Sequence, residues 1–551
     1  MKRAICLILC AVLLTTCGVL SASAGTARLG DVNGNGKLEA QDYAMIKRAV
    51  LKTYTLNDSQ LLIADVNRDG KLDSGDYARV KRAVLRTYEL NGTVDIPDPV
   101  SGWQDEEGNW RSTMDPKPYR RSVFRVLVRG EDYGLFRSED ICPAETGSLL
   151  GSAFGEAVLS RNGLVKQTYG IDVLCIESNQ VQEDVQSYAL AGMDEFDAVM
   201  DGLGTLLDAA PQGYYYDLRS IQGLDLDAPW YDPYANETFT FGNAQYFATG
   251  DVTVTNRTEA PAIVFSRSIV AENDFESPYE LVKDHTWTLD AMAEVMRSVV
   301  EERDGNGFID EQDVVGMLAD PFSDPFRLWG GAGNRIVRND GENGPRLDVK
   351  SEASVDTAYK IFGLIAENDG SIFITKPGET DAKSLFAKGH ALFLPAALRE
   401  TVEIRRLADE AGRDVGILPL PLRNMDQESY LGVCVANAAG IAIPISSRAP
   451  EFCASMIDIC SAGAKNVMTP ALRDALLAGS RNYEDELMLD VLFDSVRYDL
   501  GACMDFGGLK FGFAGLAKAG STNYTAFVDS KLTSAEVQLL NLLERYRELA
   551  G

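Results

Sequence analysis

Val123-Phe-Arg-Val-Leu-Val-Arg129, Ala153 to Tyr169, Ile171-Asp-Val-Leu-Cys-Ile176, Val181 to Ala191 and Phe196-Asp-Ala-Val-Met200 follow one another in a single stretch. The three short apolar runs read as strands, and the two longer stretches between them have the spacing of amphipathic helices. Strand and helix in strict alternation predict an α/β fold with a mostly parallel sheet. The region from about Tyr119 to Gly551 is too long for one compact core, which predicts two lobes.

Downstream come Ala228-Pro-Trp230-Tyr231-Asp232, Gly242-Asn-Ala-Gln-Tyr-Phe-Ala-Thr-Gly250-Asp251, Ala262-Ile-Val-Phe-Ser-Arg-Ser-Ile-Val-Ala, Pro278-Tyr279-Glu-Leu-Val-Lys283 and Thr286-Trp287-Thr288, then Phe386-Ala-Lys-Gly389-His390-Ala-Leu-Phe393 and Gly416-Ile-Leu-Pro-Leu-Pro421. In this order the segments resemble the extracellular solute-binding proteins of ABC importers, the family 1 or sugar-binding class, from Asp184 onward. The resemblance implies a two-lobed periplasmic-binding-protein-like fold over 118–551, with crossing strands and closure on a ligand in the cleft. It also raises an ABC permease as a partner. For an oligosaccharide, the residues expected to stack are Trp230 and Tyr231, before the first crossing strand, and Trp329 in Arg327-Leu-Trp-Gly-Gly-Ala-Gly333, where glycines allow backbone close to a ligand. Arg137 and Asp232 are the expected polar contacts. Each aromatic could equally serve the core.

Residues 92–117, rich in Gly, Pro, Asp and Glu, read as a linker. Before it one unit is written twice at an offset of 34 residues, Asp31-Val-Asn-Gly-Asn-Gly-Lys-Leu-Glu-Ala-Gln-Asp42 and Asp65-Val-Asn-Arg-Asp-Gly-Lys-Leu-Asp-Ser-Gly-Asp76, each running on into a helix; 16 of 24 aligned positions are identical. Oxygen-bearing side chains at loop positions 1, 3, 5, 9 and 12, with glycine at 6, are how an EF-hand loop surrounds a hard cation. The unit resembles a type I dockerin, a small all-α secreted module with two EF-hand-like calcium loops that binds a cohesin domain on a scaffolding protein; it spans 28–91. The resemblance implies calcium at Asp31, Asn33, Asn35, the Lys37 carbonyl, Glu39 and Asp42, and at Asp65, Asn67, Asp69, the Lys71 carbonyl, Asp73 and Asp76. More carboxylates in the second loop predict tighter binding there. It also implies a cohesin-binding surface of Ala40, Gln41, Lys47, Arg48 and Leu51, and Ser74, Gly75, Lys81, Arg82 and Leu85.

A third stretch, Glu302-Arg-Asp304-Gly-Asn306-Gly-Phe308-Ile-Asp310-Glu-Gln-Asp313, repeats the calcium spacing with Glu in place of Asp at position 1. It reads either as a calcium loop, through Glu302, Asp304, Asn306, the Phe308 carbonyl, Asp310 and Asp313, or as a plain helix-ending turn.

Residues 1–24 read as a secretory signal: Met1-Lys2-Arg3, an apolar run, then Ala22-Ser23-Ala24. Thr16-Cys17-Gly18 leaves a lipid anchor at Cys17 as the alternative to release. The mature chain is therefore expected outside the cytoplasm, secreted or at the cell surface, as a monomer. With 82 acidic and 52 basic residues the formal charge is -30, which repels phosphate backbones and argues against nucleic acid as a partner. Six cysteines beyond the signal are too few for a disulfide scaffold. No G-x-S-x-G, G-x-x-x-x-G-K, H-E-x-x-H or C-x-x-C occurs, and the two histidines, His285 and His390, are isolated. These observations lead to a dockerin-bearing, non-catalytic solute-binding protein of a cellulosome or similar scaffold. The alternatives are a dockerin-tethered glycoside hydrolase, whose two carboxylates no motif would reveal, and an interaction module that has lost its ligand.

Overall fold

A computed structural model describes residues 25–32, 37–38, 40–50, 56, 58–68, 71–88, 90, 92–96, 103–105, 108–130, 139–143, 150–339, 344–434, 438–480 and 482–550. The signal segment 1–24, and Asn33, Asn35, Glu39, Leu51, Asp69 and Arg137, lie outside them. The chain divides into two compact units, Met1–Arg111 and Ser112–Gly551.

In the first unit, helices Ala40–Val50, Asp58–Ala64 and Ser74–Val84 enclose a core of Leu29, Val32, Ile46, Ile63 and Val80. Asp73 caps the last helix, its carboxylate accepting from the Gly75 N–H at 2.6 Å, which satisfies one of the free donors of the first turn. The unit is not wholly helical. Strand β1 (Gly25–Arg28) pairs antiparallel with β2 (Thr93–Ile96), so the module's ends are tied together and four residues expected in the linker belong to it. Arg68 reinforces the tie: its guanidinium donates to the Thr93 carbonyl at 2.7 Å.

The second unit is built on two larger sheets, of four and five strands, beside two-stranded pairings. The first contains β3 (Val123–Arg129), β4 (Asp172–Ser178), β5 (Ala198–Gly202) and, later in the chain, Ala439–Ala442, in the order Ala439–Ala442, β5, β3, β4. β3, β4 and β5 are parallel, as the strand–helix alternation requires, and the late strand is antiparallel. The expected helices are Gly151–Tyr169 and Val181–Ala191. A disulfide joins Cys142 to Cys175 on β4, while Cys434, Cys453, Cys460 and Cys503 are free and buried. Cys453 and Cys460 thus behave as small apolar core residues.

The second sheet runs Ile372–Ile374, β7 (Val315–Ala319), Ala391–Ala397, β6 (Pro261–Ser266), Val415–Pro419. The chain crosses between lobes before β6, between Val415–Pro419 and Ala439–Ala442, and again after helix Pro450–Leu477, which lies on the first lobe and leads into helix Tyr483–Ser495 against Val415–Pro419. The crossing strands Gly432–Val433 and Val496–Arg497 pair in parallel.

Candidate functional site

In open α/β sheets ligands bind outside the carboxyl ends of the parallel strands. The register places those ends. Gly202, closing β5, pairs with Ala439 just after a crossing, and Ala397 pairs with Pro261 just after another. The carboxyl ends of both parallel sets therefore lie at the crossing segments, and the interlobe crevice is bounded by the residues that follow them. In the first lobe the described residues there include the Arg129–Asp201 ion pair at 2.8 Å. Gln182 donates to the second Asp201 oxygen at 2.8 Å and the Tyr215 hydroxyl donates to Gln182 at 3.0 Å.

In the second lobe the loop after β7 carries Asp320 and Phe322, and Asp324 opens the helix that follows, Asp324–Gly331. Asp324 is buried, accepts from Arg327 at 2.7 Å and from the Asp320 N–H at 2.7 Å, and is pushed up to about 6 by burial. Phe322 is exposed, with the Lys518 ammonium 3.7 Å from its ring centre. Arg399, just after Ala397, pairs with Glu259 beside the first crossing. Asp320, Phe322, Asp324 and Arg399 were missed in the sequence because no motif marks them; the available signal was position, each lying within a few residues of the carboxyl end of a parallel strand.

The residues expected to bind ligand divide. Trp329 is fully buried, its indole N–H donating to the Ser354 carbonyl at 3.0 Å and its ring packed on Phe513 at 5.4 Å. It is a core residue, because the glycines that seemed to open a ligand approach instead admit Val433 and Leu420 against the helix. Trp230 and Tyr231 are also buried: indole N–H and phenol O–H both donate to Asp458 Oδ1, at 2.8 and 2.9 Å, and Ser112 donates to Oδ2 at 2.6 Å. Asp458 lies above the usual carboxylate range through burial, partly offset by these donors. Asp232 caps helix Pro233–Phe239, accepting from the Tyr234 and Ala235 N–H groups. Trp230, Tyr231 and Asp232 nonetheless line a cavity of about 550 Å³ with Arg257, Phe493 and Tyr498, along the crossing segments.

In the first unit, Asp31, Asp42 and Asp76 are buried, Asp65 and Asn67 half-buried, and Asp73, Lys37 and Lys71 exposed. Asp76 closes the second loop: Oδ1 accepts from the Asn67 N–H and Oδ2 from the Asp73 N–H, each at 3.1 Å. Burial, and secondarily Asp65 and Asp73 nearby, raise its pKa. Carboxylates gathered around a buried one fit a divalent cation, which supplies the missing positive charge. Lys47, Lys81, Arg82 and Leu85 are exposed and Gly75 half-buried. Ala40, Gln41, Arg48 and Ser74 lie on the helices, their side chains outside the description.

The third loop brings ligand oxygens of Glu302, Asp304 and Asp313 within 4.8 Å of one another. Asp313 is buried and held below the usual carboxylate range by the N–H groups of Arg303 and Asp310; Asn306 donates to both Asp304 and Asp310, and Phe308 is exposed. Helix Leu289–Val299 precedes the loop but a strand, β7, follows it, unlike an EF-hand. His390 contacts the Asp313 carbonyl at 3.2 Å and His285 the Gln427 carbonyl at 2.7 Å, both backbone contacts of a structural kind.

Among known families, the dockerin type I domain matches residues 29–85. No curated protein matches the chain in sequence. Among solved structures, the sugar-binding protein MalE from the phytopathogen Xanthomonas citri superposes with a TM-score of 0.51 at 13% identity, covering 78% of this chain and 99% of that one. UspC of M. tuberculosis superposes with a TM-score of 0.50 at 13% identity, covering 75% of this chain and 99% of that one. Residues 29–85 are a type I dockerin domain, and the rest of the chain has the two-lobed fold of MalE-like solute-binding proteins.

Proposed function

We propose that the chain is an exported, non-catalytic carbohydrate-binding protein, held through its dockerin on a cohesin-bearing scaffold. The observation that carries this is the pairing, on one chain, of a type I dockerin with a two-lobed unit whose strand ends meet at the crossing segments. MalE of Xanthomonas citri, a structural neighbour, is a sugar-binding protein, which directs the choice of ligand toward oligosaccharides. Calorimetric titration with malto- and cello-oligosaccharides, run beside a reducing-end assay, tests the reading. Saturable binding without sugar release supports it; steady release overturns it in favour of a hydrolase.

Calcium belongs to the same proposal. In the second loop Asp65, Asn67, Asp73 and Asp76 would hold the ion, and in the first Asp31 and Asp42, with the carbonyls of Lys71 and Lys37. Bound there, the ion would supply the positive charge that these gathered carboxylates lack. Glu302, Asp304 and Asp313 form the third candidate. Capture by a cohesin in calcium, lost in chelator, tests the partner; an ABC permease and a monomeric state complete the reading.

A further inference from the structure

The last helix, Tyr524–Ala550, has 27 residues, about 40 Å at 1.5 Å per residue. Its ends are built into different lobes. Tyr524 is fully buried in the second lobe, its hydroxyl donating to the Val349 carbonyl at 2.9 Å and its ring edge-on to Phe513 at 5.8 Å. Tyr546 is buried in the first lobe, stacked on Phe241 with ring centres 3.7 Å apart and planes 11° from parallel. Its hydroxyl donates to the Leu207 carbonyl at 3.0 Å, and Arg545 donates to the Asp208 carbonyl at 3.2 Å. Leu207 and Asp208 belong to helix Leu203–Ala209, which continues directly from β5 of the first sheet. Between the ends, Ala535, Leu539 and Leu542 are buried and Gln538 accepts the Gly507 N–H at 2.7 Å.

We propose that this helix is a strut that holds the two lobes at a fixed angle. Two-lobed proteins close by rotation at a few residues in the segments that cross between lobes, and this chain crosses three times before the last helix. Here the helix is a fourth connection, and a continuous helix neither stretches nor bends sharply without an interruption such as proline. A rotation of one lobe carries the Tyr546 anchor relative to the Tyr524 anchor, and a ring stack forfeits much of its dispersion within an ångström of separation. The crevice therefore stands near one width whether or not it is filled, and binding proceeds without the wide closure that the family resemblance implies.

The test needs no ligand, so its failure is distinct from failure of the carbohydrate reading. Spin labels at Leu190→Cys in the first lobe and Lys388→Cys in the second, both exposed positions, report the interlobe distance in the full chain by pulsed dipolar spectroscopy. The strut predicts a single narrow distribution that at least doubles in width in Leu540→Pro, which breaks the helix at an exposed position between its docked ends, and in Tyr546→Ala. A broad distribution in the otherwise unaltered chain overturns the proposal outright. So does a distribution left unchanged by Leu540→Pro, with circular dichroism verifying that both lobes remain folded; this variant decides the matter where Tyr546→Ala does not fold.

Discussion

Tyr43 and Tyr77, 34 residues apart at the same position of the two repeats, meet face to face: ring centres 5.2 Å apart, planes 25° from parallel, hydroxyls 2.8 Å apart. The duplicated sequence thus folds into a pair of helices, Ala40–Val50 and Ser74–Val84, that contact through equivalent side chains. Tyr77→Ala removes the stack and its half-buried surface. It is expected to destabilise the dockerin by about 2 kcal/mol, from aromatic pairing plus lost apolar burial. Tyr77→Phe, losing only the hydroxyl bond, should cost about 1 kcal/mol or less. Calorimetry of the full chain in calcium reads both, and equal transitions for Tyr77→Ala and the parent would remove the pair from the core.

Asp42 and Asp76 hold position 12 of their loops and are both buried. Asp76→Asn should abolish the tighter of the two dockerin sites and Asp42→Asn the weaker. Total uptake should fall by one ion in Asp313→Asn without change in cohesin capture. Saturation at 100 times the dissociation constant stabilises a folded domain by about 2.7 kcal/mol per site, so chelation should lower the dockerin transition and largely spare the lobes. The reverse order of loop affinities, or uptake unchanged in Asp313→Asn, would contradict the respective assignment.

Leu85 stands 63% exposed just beyond its helix, with Lys81 and Arg82 exposed one turn earlier and Arg82 5.4 Å from the Tyr88 ring centre. A large apolar side chain left in water beside a basic pair is what an interface anchor looks like before it is covered. Leu85→Ala should weaken cohesin binding by roughly tenfold, the order of 1–2 kcal/mol expected of an anchor. Lys81→Ala with Arg82→Ala should mainly slow association and flatten its salt dependence. Surface plasmon resonance against a cohesin reads both constants, and unaltered kinetics in all variants would move the docking face elsewhere.

How legible was this in the sequence? The first three strands and two helices of the α/β unit were, because alternation of apolar runs and amphipathic stretches is local; helix Val181–Ala191 falls where its spacing puts it. Asp42 and Asp76 stood out because an EF-hand spacing fixes residue types at fixed loop positions, and both are buried. The β1–β2 tie was not, since four residues at each end of a module carry too little pattern to distinguish a strand from a linker. Trp230 and Trp329 stayed ambiguous for another reason: an aromatic that stacks on a ligand and one that fills a core read alike in sequence, and burial with an indole N–H satisfied inside the protein, by Asp458 and by the Ser354 carbonyl, is visible only in the structure. The crevice residues Asp324 and Arg399 needed the strand order before their place had any meaning.

Asp324 gives the lobes a pH dependence. Burial raises its pKa from 3.8 to about 6 despite the pairing with Arg327. A folded-state value above the unfolded one means stability that is fully present below pH about 4 and lost as pH rises through about 6. Burial lifts Asp140 to about 6 in the same direction. A rise of this size corresponds to on the order of 3 kcal/mol at neutral pH. Asp324→Asn should therefore flatten the decline in unfolding free energy between pH 4 and 7 in calcium-saturated buffer. A decline as steep as the parent's would place the proton elsewhere.

Asp458 separates packing from recognition at Trp230 and Tyr231. Its carboxylate receives the indole, the phenol and the Ser112 hydroxyl, so Asp458→Ala removes an acceptor shared by two buried donors and one half-buried one. At about 1–3 kcal/mol for a buried unsatisfied group, the lobe should lose on the order of 4 kcal/mol, with less lost in Asp458→Asn, whose amide oxygen still accepts. Trp329→Phe, in a fully packed site, should cost about 2 kcal/mol in lost volume and hydrogen bond. Because all these side chains have their polar atoms turned into the protein, oligosaccharide affinity measured below the unfolding transition should stay within about threefold of the parent in Asp458→Asn and Trp329→Phe, a difference under 1 kcal/mol. Phe322→Ala, which removes the exposed ring beside the Lys518 ammonium after β7, should weaken it more, by roughly tenfold. A loss of affinity in Trp329→Phe as large as in Phe322→Ala would return that tryptophan to the ligand.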